Sequence, residues 1–180
     1  MVIPTPRKVV YVHNHSPPDL PPELTSLVEF RREVQEEDLT PQKLGNQPAM
    51  LILDDVFHNL SDRFCYNLFT SISHHANCSI LMVLQHLFMK TRVMRVLSTN
   101  AHVTTLFRSP RDMLSLRYLN SQMYPGSPKY LTWAFQDATL NEPYSSLDID
   151  CSPQSDDVTR VRKSSFPGDK QIICYLPESK

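Results

Sequence analysis

Glycine is nearly missing from this chain: three residues in 180, Gly45, Gly126 and Gly168, where about 7% is usual. A phosphate-cradling loop of the form GxxxxGK[ST] needs glycine at both ends and a following lysine, and none of the three begins that motif. Long apolar runs are missing as well. The longest, Ala49 to Leu53 and Ile80 to Leu84, hold five residues each, whereas a membrane-spanning helix takes roughly 18 or more. No transmembrane helix is expected. Pro4, Pro6, Arg7 and Lys8 precede only a short apolar stretch at Val9 to Val12, so nothing reads as a secretory signal. Neither sign of charge prevails: 18 Lys+Arg against 19 Asp+Glu leave a formal charge of -1. That excludes a global basic field that would hold a phosphate backbone, so any nucleic-acid contact is expected to be local. The four cysteines, at 65, 78, 151 and 174, have neither CxxC spacing nor the density of a disulfide scaffold. They read as reduced packing residues of an intracellular chain.

What is present suits a folded domain. Hydrophobic residues make up 41% and charged residues 21%, and the length is that of one domain. Fifteen prolines, eight of them before residue 50, concentrate irregular structure near the start. Lys8 to Val12 reads as a buried strand that leaves through His13, Asn14 and His15 into a proline-rich stretch at 17–22. Glu23 to Asp38 is charged and at best weakly helical, a solvated connector. Ala49 to Leu53 is a continuous apolar run closed by Asp54 and Asp55, the form of a strand buried on both faces. Ser61 is an N-cap candidate for a helix carrying Phe64, Leu68, Phe69 and Ile72. Ser79 to Leu84 is a second buried strand, so strand, helix and strand follow as in a parallel crossover, and an α/β fold is expected. Met89 to Leu97 reads as helix and Val103 to Phe107 as a third strand of this half. Ser109 and Pro110 signal a helix start, and Ser127 with Pro128 repeats the signal. Tyr144 to Ile149 reads as a strand, Ser152 to Lys163 as a polar loop, and Gln171 to Leu176 as a last short strand.

The chemistry is expected at the carboxyl edge of the parallel strands, where open α/β sheets bind ligands. Asp54 and Asp55 stand at that edge. In nucleotide hydrolases the first acid of such a strand helps hold Mg²⁺ and the second positions or deprotonates the attacking water. Taken alone, an apolar strand ending in Asp is more often just leaving the core. Gln85, at the end of the next strand, adds context: an amide there can hydrogen-bond a γ-phosphate or the attacking water. Arg108 and Arg111 can stabilise developing charge or contact phosphate, and a solvated helix start explains them equally well.

These segments resemble the C-terminal part of the genome-packaging ATPases of the FtsK/HerA superfamily, nearest those of Maverick (Polinton) transposons and adintovirus-like elements. The resemblance rests on residues 51–55 (LILDD), 73–77 (SHHAN), 79–88 (SILMVLQHLF), 98–102 (STNAH) and 106–112 (LFRSPRD). Further pieces are 122–126 (QMYPG), 129–131 (KYL), 137–139 (DAT), 147–150 (LDID) and 165–168 (SFPG), so it covers roughly 49–168. It implies a RecA-like P-loop core with a mainly parallel sheet, a homo-oligomeric ring, and Mg-ATP hydrolysis driving double-stranded DNA into a capsid. By position Asp54 is then the Mg²⁺ ligand, Asp55 the acid that activates water and Gln85 the γ-phosphate sensor, with Arg108 and Arg111 as arginine-finger candidates. The resemblance also implies a nuclear or virion-associated location, with DNA and capsid proteins as partners. On this reading 1–48 is a strand plus connector, 49–168 the family-like region and 169–180 a tail of one partial domain. The strand that follows the P-loop helix in the family resembles Arg7 to Val12, so the chain reads as truncated just downstream of its Walker A motif. ATP binding by these residues alone is expected to be weak or absent. A sheet lacking its P-loop strand would expose an apolar edge.

Rival readings rest on less. A non-catalytic remnant acting as an interaction module needs only the fold. A metal-dependent nuclease built on Asp54 and Asp55 lacks the lysine and distributed carboxylates such sites use, and His13, Asn14 and His15 lack a nuclease framework. His74, His75 and Cys78, with His13, His15 or His58, have metal-binding types without standard spacing. No GxSxG elbow supports a hydrolase triad. Tyr118, Tyr124, Tyr130, Trp133 and Phe135 recur at helical spacing and read as core rather than a stacking surface. Arg160, Arg162 and Lys163 are a small basic cluster able to touch a DNA backbone, or simply a solvated loop.

Overall fold

A computed structural model describes residues 5–40, 43, 47–87, 91–109, 112–140, 142–163 and 171–177. The chain divides into two compact units, Met1–Asn100 and Ala101–Lys180.

The first unit is built on four parallel strands. β1 (Lys8–His13), β2 (Val28–Arg31), β3 (Ala49–Asp54) and β4 (Cys78–Val83) lie in the order β2-β1-β3-β4. A mixed helix and strand chain with a mainly parallel sheet is therefore what forms. β1 and β3 can be central because they carry almost only apolar side chains, which suits burial on a sheet interior. Val10, Val12, Leu51 and Leu53 point to one face and pack with Phe64 and Leu68 in the core. Alternation then sends Tyr11, His13, Ile52 and Asp54 to the other face.

The helical layer over the core face starts where the sequence marks it. Ser61 Oγ accepts the Phe64 N–H at 3.1 Å and caps α2 (Asp62–Asn67). A wider π turn, Leu68–Ile72, follows, then a single turn of helix, α3 (Ser73–His75). Asn77 reverses the chain into β4 with a left-handed φ of 48°, a conformation asparagine tolerates better than most residues. From α4 (Arg92–Asn100), Val93, Met94 and Leu97 pack with Cys65 against Phe69, Met82 and Leu84. Phe88 to Lys90, where this helix was expected to begin, lie outside the described residues. Burial pushes the Cys65 and Cys78 thiols up to about 11, which suits packing residues rather than nucleophiles.

The segment Glu23 to Asp38 departs from its expected role as a solvated connector. It holds a one-turn helix, α1 (Pro22–Thr25), and then β2, paired in parallel with β1. Pro22 stands at the first helical position, where its missing N–H costs nothing. β2 was hidden because half of its four residues are charged. Those charges are used: Glu29 takes Arg31 at 2.7 Å and Lys8 of β1 at 3.3 Å. The Arg31 hydrogen bond, more than the Lys8 one, holds the Glu29 carboxyl below its usual value. This edge of the sheet is thus ionic. The opposite edge is not: β4 carries no charge, and Leu81 and Val83 are 46% and 44% exposed.

The second unit overturns three further expectations about strands. Val103 to Phe107 forms β5, which belongs not to the parallel half but to an antiparallel sheet, β5-β6-β7, with β6 (Ser146–Asp150) and β7 (Val161–Lys163). A run rich in β-branched residues such as Val103, Thr104 and Thr105 favours a strand, but does not say which neighbour it pairs with. β7 lies inside the stretch expected to be a polar loop. The strand expected at Gln171 to Leu176 reduces to one bridge, Cys174 opposite Arg162. Tyr175 beside it is buried and donates its N–H to the Val161 carbonyl at 2.8 Å.

Two helices cover this sheet. α5 (Met113–Met123) has Asp112 at the preceding position, its carboxylate taking the Ser115 hydroxyl; Pro110, where a helix start was expected, lies outside the described residues. α6 (Tyr130–Leu140) follows the Ser127-Pro128 signal. Its buried residues Tyr130, Leu131, Ala134, Phe135 and Ala138 keep a helical period. Trp133 and Tyr118 fall off the buried stripes and are 57% and 59% exposed, so that pair is not core as expected. Asn120, 1% exposed, ties the helices: its Oδ1 accepts the Leu131 N–H at 2.8 Å and its Nδ2 donates to the Ser127 carbonyl at 3.0 Å. Asn120→Ala strands the buried Leu131 N–H, while the Ser127 carbonyl keeps the Tyr130 N–H at 3.2 Å, so urea melts should show a loss of about 1–3 kcal/mol. A loss below about 0.5 kcal/mol would mean that water replaces the amide.

Candidate functional site

Parallel pairing brings the carboxyl ends of β1, β3 and β4 to one edge. In register, His13 stands opposite Asp54, and Asp54 opposite Val83. The residues that follow, Asn14, Asp55 and Gln85, therefore gather where the strands end.

Asp54 is half-buried. Its Oδ2 accepts the Tyr11 hydroxyl at 2.8 Å; Oδ1 takes no hydrogen bond among the described residues. Burial first, and the adjacent carboxylate second, push the Tyr11 phenol up to about 12, so it stays a donor throughout the physiological range. Tyr11 itself is wedged by Phe30 and His13, with ring centroids 5.5 Å and 5.9 Å away.

Asp55 breaks the strand. Its φ of 52° is left-handed, which ends β3 abruptly and turns the side chain away from the ladder. Both its carboxylate oxygens are reached by Gln85 Nε2, at 3.2 Å and 3.1 Å. A carboxylate only accepts, so the amide must present its nitrogen there. His15 Nε2 lies 3.9 Å from the same group. The Asp55 carbonyl accepts Asn14 Nδ2 at 3.0 Å, and Asn14 Oδ1 accepts Asn59 Nδ2 at 3.0 Å. The loop after β1 is fixed in turn by Arg32, which donates to the His15 carbonyl at 3.0 Å, and by a contact between that carbonyl and His13 Nδ1. The left-handed turn is thus held by side chains from three segments.

The structure brings together Asp54, Asp55 and Gln85, residues chosen from strand ends alone. Arg108 follows β5 in the second unit and is exposed. There it lines an open depression of about 390 Å³ with Phe107, Leu140 and Tyr144. Arg111 lies outside the described residues. Sequence reasoning passed over Tyr11 and Asn59, and considered His13 and His15 only as spare metal ligands and His13, Asn14 and His15 as a nuclease-like tripeptide without a framework. The signal was parity: once β1 and β3 are parallel neighbours, Tyr11 and His13 must share a face with Asp54.

Other constellations are committed elsewhere. Arg160 is held by Asp157 at 3.0 Å and by the carbonyls of Asp150 and Ser155 at 2.9 Å each, and Lys163 pairs with Glu142 at 2.9 Å. Cys78 opens β4, at the edge of the sheet away from Asp54. Among the described residues, no group of three or more His, Cys, Asp or Glu is placed to hold a metal ion by itself, and no helix is long and apolar enough to cross a membrane. No family model, curated protein or solved structure matches the chain.

Proposed function

We propose that this chain is the Walker B portion of a DNA-packaging ATPase of the FtsK/HerA type, related to those of Maverick (Polinton) and adintovirus-like elements, with a RecA-like core. The observation that carries the reading is the hydrogen bond between Gln85 and Asp55 at the carboxyl edge of a parallel sheet. Two residues 30 positions apart, each picked as part of a hydrolytic pair, meet there. In that role Asp55 takes a proton from the attacking water while Gln85 orients both.

Mg²⁺ prefers oxygen ligands and is usually held by one or two carboxylates together with water and substrate phosphates. Asp54 fits, because Oδ1 is left over after Tyr11 has engaged Oδ2. When bound, Mg²⁺ would neutralise charge on the β- and γ-phosphates. ATP fits less well. The 180 residues contain no GxxxxGK[ST], so no backbone cradle surrounds the phosphates. Double-stranded DNA, capsid protein and a homo-oligomeric ring belong to the same proposal, as do Arg108 and Arg111 as charge-stabilising candidates.

A second reading needs only the fold: a non-catalytic remnant that serves as an interaction module. A phosphate-release assay separates the two. The chain as given should show no turnover, and its cooperative melt should not shift with Mg-ATP. Joined to a P-loop strand and helix, it should hydrolyse Mg-ATP. A folded joined chain without turnover would sink the ATPase reading and leave the module.

A further inference from the structure

Resting on the module reading above, we infer that the open edge of β5, with the depression at its end, binds an extended segment of a partner protein in which an acidic side chain precedes alternating apolar residues. The antiparallel sheet has two edges, and they are finished differently. Along β7 the Lys163 N–H donates to the Ile173 carbonyl at 2.9 Å and the Val161 carbonyl accepts the Tyr175 N–H at 2.8 Å, so residues 173–175 close that side. β5 pairs with β6 alone, and no strand among the described residues lies along its other side. It also lacks the charges and prolines that guard exposed edges. Alternate backbone groups of Val103–Phe107 are therefore open to an added strand, the mode in which sheet edges capture peptides.

The end of the edge supplies the selectivity. Phe107 and Arg108 line the depression together with Leu140 and Tyr144. Phe107, Leu140 and Tyr144 are 59%, 60% and 85% exposed, a large apolar area gathered on one hollow. Tyr144 is kept there by its backbone: a φ of 63° is left-handed, a conformation that costs a bulky residue energy. The turn is closed by the Ser145 N–H and hydroxyl, which both donate to the Glu142 carbonyl, at 3.3 Å and 2.7 Å. Glu142, the acid among the lining residues, is taken by Lys163 at 2.9 Å. Arg108 has no such partner among the described residues, and the sequence is free of acids from Arg63 to Arg111. An uncommitted guanidinium thus stands beside apolar side chains. One guanidinium matches one carboxylate through its paired N–H donors, whereas a nucleic-acid strand is held by a row of cations. A strand added antiparallel, as the rest of this sheet is, places its first residue opposite Arg108. Its second, fourth and sixth then lie beside Phe107, Thr105 and Val103, whose side chains share the exposed face.

Fluorescence anisotropy with the intact chain tests this. The probe is a fluorescein-labelled, C-terminally amidated peptide of sequence Glu-Val-Thr-Val-Thr-Val, beside a second in which Lys replaces Glu. The wild-type chain should bind the Glu peptide saturably and the Lys peptide about tenfold more weakly. Arg108→Glu should invert that order, a result that misfolding cannot give. The Glu peptide N-methylated at alternate residues keeps its side chains but loses the donors of a strand, and its binding should be lost. No saturable binding of the Glu peptide, equal affinity for the two peptides, or an unchanged order in Arg108→Glu would overturn the inference. Undiminished binding of the N-methylated peptide would overturn it as well. Tighter binding of a deoxythymidine hexamer than of the Glu peptide would assign the hollow to single-stranded nucleic acid instead. A dimer that Arg108→Glu dissolves, with no peptide bound, would assign the edge to a second copy. The module reading falls separately, if the joined chain hydrolyses ATP.

Discussion

Asp55→Asn, placed in the chain joined to a P-loop strand and helix, is expected to cut ATP turnover by about 10²–10⁴-fold while leaving nucleotide affinity within a few-fold of the parent. The size follows from the role. A group that accepts a proton only as the reaction proceeds contributes to the transition state and little to the ground state. Asparagine keeps the shape and can still pair with Gln85, which turns its amide so that one side chain donates and the other accepts. The left-handed backbone at this position is also tolerated by asparagine. The fold at the edge should therefore survive, and the loss should fall on kcat. Fluorescent-nucleotide binding and single-turnover phosphate release would separate the two quantities. Turnover within about threefold of the parent would remove Asp55 from catalysis and leave its contact with Gln85 as a structural tie.

The second large effect concerns solubility. The two edges of the parallel sheet are built differently. β2 is laced by Glu29, Arg31 and Lys8, whereas β4 is uncharged along Cys78–Val83 and has no strand beyond it among the described residues. Unpaired backbone groups on an uncharged strand, with Leu81 and Val83 exposed on the adjoining face, form a template for edge-to-edge pairing. At about 10–100 μM the chain is expected to self-associate, a range where exposed strand edges commonly do so. Val83→Lys combined with Leu81→Lys should return it to monomer. Both positions are already open, so two lysines there bury no charge, and they repel a second copy. Light scattering across a dilution series reads the outcome. A wild-type chain that stays monomeric over that range would show that the edge is protected, and association persisting in the double variant would place it elsewhere.

The parallel sheet was legible where its strands are apolar throughout. β1, β3 and β4 announce themselves because a run of five or so apolar residues has few other uses, and their polar ends marked the site. β2 was illegible because a four-residue edge strand with two charges reads like loop: its stability comes from Glu29 meeting Lys8, a contact that exists only after pairing. β5 shows the other limit. That it forms a strand was visible, but the choice between a parallel neighbour and β6 depends on residues some 40 positions downstream. For the site, Asp54, Asp55 and Gln85 could be chosen from a rule about strand ends. Tyr11 could not, since its role appears only when two strands are put in register. Asn120 was equally silent, because one asparagine within a helical run carries no mark of being the bond between two helices.

The wide turn at Leu68–Ile72 makes the crossover between β3 and β4 one residue longer than a regular helix needs. The chain there has slack, and slack of this kind can be taken out. Deleting Thr70, whose hydroxyl only returns to the Tyr66 carbonyl at 2.8 Å, should close the turn into a continuous helix. The cost in the melt should be far below that of deleting any neighbour within α2. Insertions and deletions would then be absorbed at this one turn, so length can drift in the helical layer while the register of the strands, and the acids at their ends, stays put.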